Sequence, residues 1–261
     1  MPKSTTIHKQ IAPQRLEQLR AMLRDQRAIR LDEACEALSV SQATVRRDLE
    51  VLERLGEAKR VHGGAVLLGR RWEESGFDDK ATQAQDEKRR IAEAAAMLVQ
   101  AGDTLFLDGG STVHGLLPLL RKRGDITIVT NSLRAATELV DGGPTTIFIG
   151  GELRRISQTM VGPLTERQLA NMHFDRAFMG TLGLTLREGM TTTDAGESFT
   201  KKLVMVQSKQ VVLMVDSTKV GRTMFVQAGT LADVDVLITD NGTDADFISQ
   251  LDEYDLQVQS V

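Results

Sequence analysis

Ser41-Gln42-Ala43-Thr44-Val45-Arg46-Arg47-Asp48-Leu49 is the stretch whose reading decides the fold. Ser41 is a good helix N-cap, able to accept a hydrogen bond from a first-turn N–H. Val45, Leu49 and Leu52 recur at helical spacing and make one apolar face. Ser41, Gln42, Thr44, Arg46 and Arg47 are left near the N-terminal end, the end that a helix-turn-helix recognition helix pushes toward base edges in the major groove. Gly56 suits the left-handed residue that closes such a helix.

The flanks support this reading. Residues 13–26 place Leu16, Leu19 and Leu23 on one face, with Pro13 at a helix start, and residues 31–38 form a second short apolar helix. After Gly56, two short extended runs surround Gly63-Gly64, a hairpin signal. Lys59, Arg60 and His62 make that hairpin basic, as a wing that touches phosphate or the minor groove would be. Arg46 and Arg47 taken alone also fit a solvated helix face paired with Glu50 and Asp48. The two preceding helices and the Gly-Gly hairpin favour a winged helix-turn-helix domain over residues 1–68.

Length and charge point to a second domain. Residues 1–71 carry 14 Lys+Arg against 9 Asp+Glu, whereas the remaining 190 residues carry 18 against 27. A basic reader joined to an acidic domain with its own core is the expected organisation. No signal-peptide-like stretch opens the chain and no apolar run is long enough to span a bilayer, so a cytoplasmic protein without membrane partners is expected. Cys35 is the single cysteine and reads as a packing residue. The four histidines show no ligand spacing, so neither a metal nor a cofactor is expected. Residues 69–86 turn polar and irregular, with Trp72 and Phe77 as bulky anchors, and read as a linker.

From residue 87 onward the chain alternates helical and apolar runs. Helices are expected at 91–99, 113–120, 133–140 and 203–206, and strands at 104–107, 126–129, 146–149, 177–179, 211–215 and 236–239. That rhythm predicts an α/β domain over 87–261 with a mostly parallel sheet, which binds ligands at its strand C-termini.

Small polar residues gather at those strand ends. Asp108-Gly109-Gly110-Ser111-Thr112 lies between a strand and a helix; its glycines allow close backbone approach, and the helix start offers free amides to an anion. The bland reading is a tight βα turn. Asn131 and Ser132, Gly150 and Gly151, Thr181 and Gly183, and Lys219 after Asp216-Ser217-Thr218 occupy similar positions. Five ends converging on one face would surround a phosphorylated polyol or sugar. Asp194, Glu197 and Lys201 share one side of a further helix and its lead-in, where carboxylates would accept sugar hydroxyls; the plain alternative is a surface ion-pair cluster.

These residues carry a resemblance over nearly the whole chain. Arg15, Leu19 and Leu23, then Ser41-x-x-Thr44-Val45-Arg46-Arg47-Asp48-Leu49 and Arg60-Val61-His62-Gly63-Gly64-Ala65, resemble the signature of the DeoR family of bacterial transcriptional regulators. Glu87-Lys88, Ile91-Ala92, Asp108 to Thr112, Thr130-Asn131-Ser132, Gly150-Gly151 and Asp216 to Lys219 resemble its effector domain. One departure is Lys80, where family members often carry an arginine shortly after the wing. The resemblance implies a ribose-5-phosphate-isomerase-like fold for the larger domain. It also implies a repressor of a carbohydrate-utilisation operon, acting on double-stranded operator DNA as a homodimer or homotetramer and relieved by a phosphorylated sugar. The alternative is an isomerase-like enzyme, with Glu197 or Asp194 as base and Lys201 or Lys219 stabilising an enediolate.

Overall fold

The computed structural model describes residues 12–26, 28–54, 57–61, 63–67 and 74–261. It divides into two compact units, Met1–Glu73 and Glu74–Val261.

In the first unit the helices are α1 (Ala12–Gln26), α2 (Leu31–Leu38) and α3 (Gln42–Arg54), and the strands are β1 (Ala28–Arg30), β2 (Ala58–Val61) and β3 (Gly64–Leu67). Leu19, Leu23, Leu38, Val45, Leu49 and Leu52 are buried together, so the three apolar faces read from the sequence meet in one core. Cys35 is half-buried and packs against this core. Ser39 adopts a left-handed conformation at φ 52° and its N–H bonds back to Cys35 and Glu36 carbonyls, which turns the chain from α2 into α3. The wing has three strands where two were expected, because β1 pairs antiparallel with β3. Gly64 permits this, since any side chain there would run into the Ile29 carbonyl. Arg15 on α1 forks onto the buried carboxylate of Asp48 on α3, at 2.5 and 3.0 Å. Residues 55, 56, 62 and 72, which carry the expected helix stop, wing histidine and tryptophan anchor, lie outside the described residues.

The second unit opens with α4 (Phe77–Thr82) and α5 (Gln85–Ala96). The stretch expected as linker is therefore helical in its second half. Phe77 is buried, with the Arg134 guanidinium 4.4 Å from its ring centroid and the His114 ring edge-on at 5.2 Å. Then come β4 (Thr104–Leu107), α6 (Ser111–His114), α7 (Leu117–Leu120), β5 (Thr127–Thr130), α8 (Leu133–Leu139), β6 (Thr145–Phe148), β7 (Glu152–Arg154), β8 (Thr159–Val161) and α9 (Pro163–Leu169). β9 (Arg176–Met179), β10 (Gly183–Thr185), β11 (Gly189–Thr192), α10 (Ala195–Val206), β12 (Val211–Val215), β13 (Val226–Gly229), β14 (Val236–Thr239), α11 (Ala245–Gln250) and β15 (Gln257–Ser260) complete it.

Seven strands form one sheet in the order β15-β14-β12-β9-β4-β5-β6, and every adjacent pair is parallel. Leu105, Leu107, Val212 and Met214 point into a core under α5 to α8; Phe106, Val211, Leu213 and Val215 point into the opposite core. Burial on both faces explains the unbroken apolar runs of these strands. The chain steps outward through β4, β5 and β6, then returns beside β4 as β9 and steps the other way. Connections thus diverge between β4 and β9, the switch point at which open α/β sheets bind ligands.

The Arg15–Asp48 pair lies wholly within the first unit and tests that unit alone. Arg15→Ala strands a buried carboxylate and is expected to lower that unit's stability by about 2 kcal/mol, between the values for exposed and fully buried pairs. Denaturant unfolding monitored on the helix signal reads this, and Arg15→Ala/Asp48→Ala together should cost less than the sum of the two single changes.

Candidate nucleic-acid interface and effector pocket

The surface of α3 separates its charges by task. Asp48 is taken by Arg15. Glu50 and Glu53 hold the wing residue Arg60, at 2.8 and 2.7 Å, and Glu53 also accepts the Arg60 backbone N–H at 3.0 Å. Arg60 was expected to contact DNA, and here it braces the wing against α3. Its partners lie seven and ten positions away across a turn, a separation no helical spacing rule reveals. The Ser41 hydroxyl accepts the Thr44 N–H at 3.3 Å and meets the Thr44 hydroxyl at 3.0 Å, closing the helix start as an N-cap. Gln42 reaches Asp32 on α2 at 2.9 Å. Arg46, Arg47 and Lys59 are exposed and make no ion pair among the described residues. Of the expected DNA contacts, Arg46, Arg47 and Lys59 are therefore the cations left without an ion pair among the described residues, around a capped helix start.

In the second unit a cavity of about 520 Å³, open mouth included, sits at the switch point. Asp108 directly follows β4 and Gly180 directly follows β9. The Asp108 carboxylate accepts the Gly180 N–H at 3.0 Å and forms a buried ion pair with Lys201 of α10, whose ammonium also reaches the Gly180 carbonyl at 3.0 Å. Gly109 has no room for a side chain because Thr159 of β8 occupies that space. Beyond Gly110 the chain enters α6, whose first amides have no acceptor within the helix. Glu197, also on α10, accepts from the Thr159 and Thr192 hydroxyls at 3.2 and 3.0 Å and from Arg154 at 3.2 Å.

Nine of the expected residues line this cavity: Asp108, Gly109, Gly110, Ser111, Thr112, Thr181, Glu197, Lys201 and Lys219. The others serve its frame. Asn131 donates to the Met160 carbonyl at 2.9 Å, Ser132 caps α8, and the Gly150 carbonyl anchors Thr165 and Gln168 of α9. Gly151 packs against Thr165, the Gly183 carbonyl accepts the Thr181 hydroxyl, and Asp194 caps α10 by accepting the Glu197 N–H at 2.9 Å. Five strand ends were expected to converge, and three do. β4, β9 and β12 are adjacent in mid-sheet, whereas β5 and β6 lie outward of β4, away from the switch point.

Seven lining residues were not among the expected site residues: Gly180, Leu182 and Thr192 next to segments that were, Ser157 and Thr159 from the β7–β8 hairpin, and Glu74 and Lys80 from the stretch read as linker. Lys80 contacts Glu74 at 2.8 Å, and Glu74 also accepts from Arg154 and Thr193, both at 2.6 Å. Burial alone would raise the Glu74 carboxyl, but the Lys80 charge and the hydrogen bonds from Arg154, Lys80 and Thr193 outweigh it and hold the group below the ordinary glutamate range. Lys219 differs from the other two lining lysines. It is half-buried with no ion pair among the described residues, and burial, partly opposed by Asp216, pulls its ammonium below the usual lysine value.

Both units match known models. Residues 15–71 match the DeoR-like helix-turn-helix domain, and residues 83–241 match the DeoR C terminal sensor domain. The chain belongs to the DeoR family. It is 38% identical over 209 residues to the transcriptional regulator GlpR of Haloferax volcanii, covering 80% of this chain and 82% of that one. To the lactose phosphotransferase system repressor of Streptococcus mutans it is 35% identical over 245 residues, covering 92% of this chain and 96% of that one. Ribose 5-phosphate isomerase A of Methanocaldococcus jannaschii aligns at a TM-score of 0.39 and 18% identity over 53% of this chain and 55% of that one, too slight a likeness to carry an argument. This DeoR-family chain is a transcriptional regulator with a DNA-binding unit and a sensor unit, and the enzyme alternative falls with that finding. Its candidate bases are also engaged, Glu197 by three donors and Asp194 as a helix cap. Among the described residues no helix is long and apolar enough to cross a membrane, and no three His, Cys, Asp or Glu side chains gather to hold a metal.

The pocket lysines should separate in a stability measurement. Lys201→Ala leaves Asp108 charged, buried and unpaired, and is expected to destabilise the sensor unit by about 3 kcal/mol. Lys219→Ala removes no ion pair among the described residues and should change thermal unfolding by no more than about 0.5 kcal/mol.

Proposed function

We propose that the protein represses a carbohydrate-utilisation operon and that a phosphorylated sugar or polyol bound at the switch point weakens its hold on the operator. The observation that carries this reading is Lys219, a cation with no ion pair among the described residues, beside a glycine loop and a helix start. An ammonium kept half-buried with Asp216 near it but no ion pair among the described residues is costly, and an incoming phosphate supplies a closer counter-charge. Glu197 and the Thr159 and Thr192 hydroxyls face the same space and suit the hydroxyls of a sugar.

On the DNA side, Arg46 and Gln42 at the start of α3 read base edges, while Arg47 and Lys59 contact phosphate. Ser41 and Thr44 set the helix start, and Arg60 belongs to the wing. One small winged helix makes few base contacts, and its phosphate contacts weaken steeply with salt. Assembly as a homodimer or homotetramer on repeated half-sites supplies the remaining affinity.

Fluorescence anisotropy on the protein's own upstream DNA, at fixed salt, tests both halves. Arg46→Ala is expected to weaken operator binding by about 1 to 3 kcal/mol and to relax sequence preference; unchanged binding would remove α3 from the major groove. One member of a panel of pentose and hexose phosphates should release the DNA, and Lys219→Ala should abolish that release while sparing operator binding. Because the Lys219 pKa is lowered and only its charged form attracts the anion, sugar-phosphate affinity should fall as pH rises through a range where an ordinary lysine stays charged. A pH series of titrations, with Lys219→Arg as the variant that restores affinity at high pH, reads the effect.

A further inference from the structure

The first residue of the sensor unit is also part of its pocket. Glu74 directly follows the N-terminal unit, and its buried carboxylate is held by Lys80, Arg154 and Thr193. Arg154 is oversupplied with negative charge: besides Glu74 it meets Glu197 at 3.2 Å and Asp194 at 3.4 Å. Losing Glu74 would leave that guanidinium with two carboxylates. Lys80 has Glu74 as its one ion-pair partner among the described residues, and both side chains line the cavity that also holds Lys219. The Glu74 carboxylate thus occupies an anion-binding position inside a pocket built for an anion. A phosphate carries about −1.5 to −2 charge near neutral pH and three acceptor oxygens, so it competes for an ammonium on better terms than a carboxylate does.

We propose that the effector's anionic group takes Lys80 from Glu74, so that occupancy of the pocket frees the residue at which the sensor unit begins. The inference rests on the pocket's being the effector site and adds to it the means by which binding is passed to the chain leading to the DNA reader. Phe77, clamped between Arg134 and His114, keeps α4 and Lys80 in place while Glu74 leaves. The released segment is therefore short and lies next to the unit boundary.

The test is a calorimetric titration of full-length protein with inorganic phosphate, at ionic strength held constant with chloride. Hydrogen exchange of the amides near residue 74 is followed in the same samples. Glu74→Gln keeps the shape and removes the charge, so Lys80 is left available and phosphate affinity is expected to rise about 5- to 10-fold. Glu74→Asp, which keeps the charge, should not gain affinity. In the unaltered protein, saturating phosphate should speed exchange around residue 74. Phosphate binding that is lost in Lys219→Ala yet no tighter in Glu74→Gln would overturn the exchange of partners and leave the anion pocket standing. Unchanged hydrogen exchange at saturating phosphate would overturn the release, whatever the variants do. Absence of phosphate binding by the unaltered protein would overturn the pocket reading and this inference together.

Discussion

The sensor unit depends on one buried ion pair, Lys201 with Asp108. A carboxylate taken out of water at the end of a central strand is tolerable only when paired and hydrogen-bonded. Here the pairing joins three parts of the chain: the end of β4, the turn after β9 and the face of α10. Those three make the walls of the switch-point cavity. With the walls fixed in this way, Gly109 can lie against Thr159 and the loop from Gly109 to Thr112 keeps its backbone toward the cavity. The pair also settles which lysine is left to act. Lys201 is occupied by Asp108, Lys80 by Glu74, and Lys219 alone among the lining lysines stands without an ion-pair partner in the described residues.

The first unit follows the same rule at a protein surface. Arg15 fixes α1 to α3 through Asp48, and Arg60 fixes the wing to α3 through Glu50 and Glu53. The carboxylates on α3 are thereby neutralised within the unit. Arg46, Arg47 and Lys59 are not, so the field presented to DNA is positive although α3 itself carries as many carboxylates as it does arginines. The charge excess of the N-terminal segment is modest, and the ion pairs concentrate it at the reading end.

What the sequence made legible follows burial. The strands at 104–107, 211–215 and 236–239 match the expected limits because both their faces are covered and their apolar runs end where the cover ends. β1 is only Ala28-Ile29-Arg30, too short to show a period, and it exists because β3 offers it an edge. α10 runs unbroken from Ala195 to Val206, joining the helix expected around Asp194, Glu197 and Lys201 to the apolar run expected at 203–206; Glu197 and Lys201 put charged side chains on its buried face and so hide that the two are one helix. Within the pocket, residues on βα turns were legible because glycines and hydroxyls between a strand and a helix have few other uses. Thr159 comes from a hairpin inserted after β6, and Glu74 and Lys80 from a polar stretch with no period. Their role arises from tertiary placement, which local patterning does not encode.

A ligand shifts an equilibrium only by the difference in its affinity for the two states. Contacts to Lys219 and to the loop at Gly109–Gly110 lie within the fixed walls of the sensor unit, so they strengthen binding in either state and by themselves move nothing. A group that changes partner on binding is needed to make the pocket a switch. Lys80 is such a group, because its present counter-ion sits on the residue that follows the DNA-binding unit. A coupling of about 1 to 3 kcal/mol is typical of such regulation, and exchanging one half-desolvated carboxylate for a phosphate on a single ammonium is of that order. On the proposed reading the two lysines divide the work: Lys219 would set how tightly the effector binds, and Lys80 would convert a share of that binding into a change at residue 74.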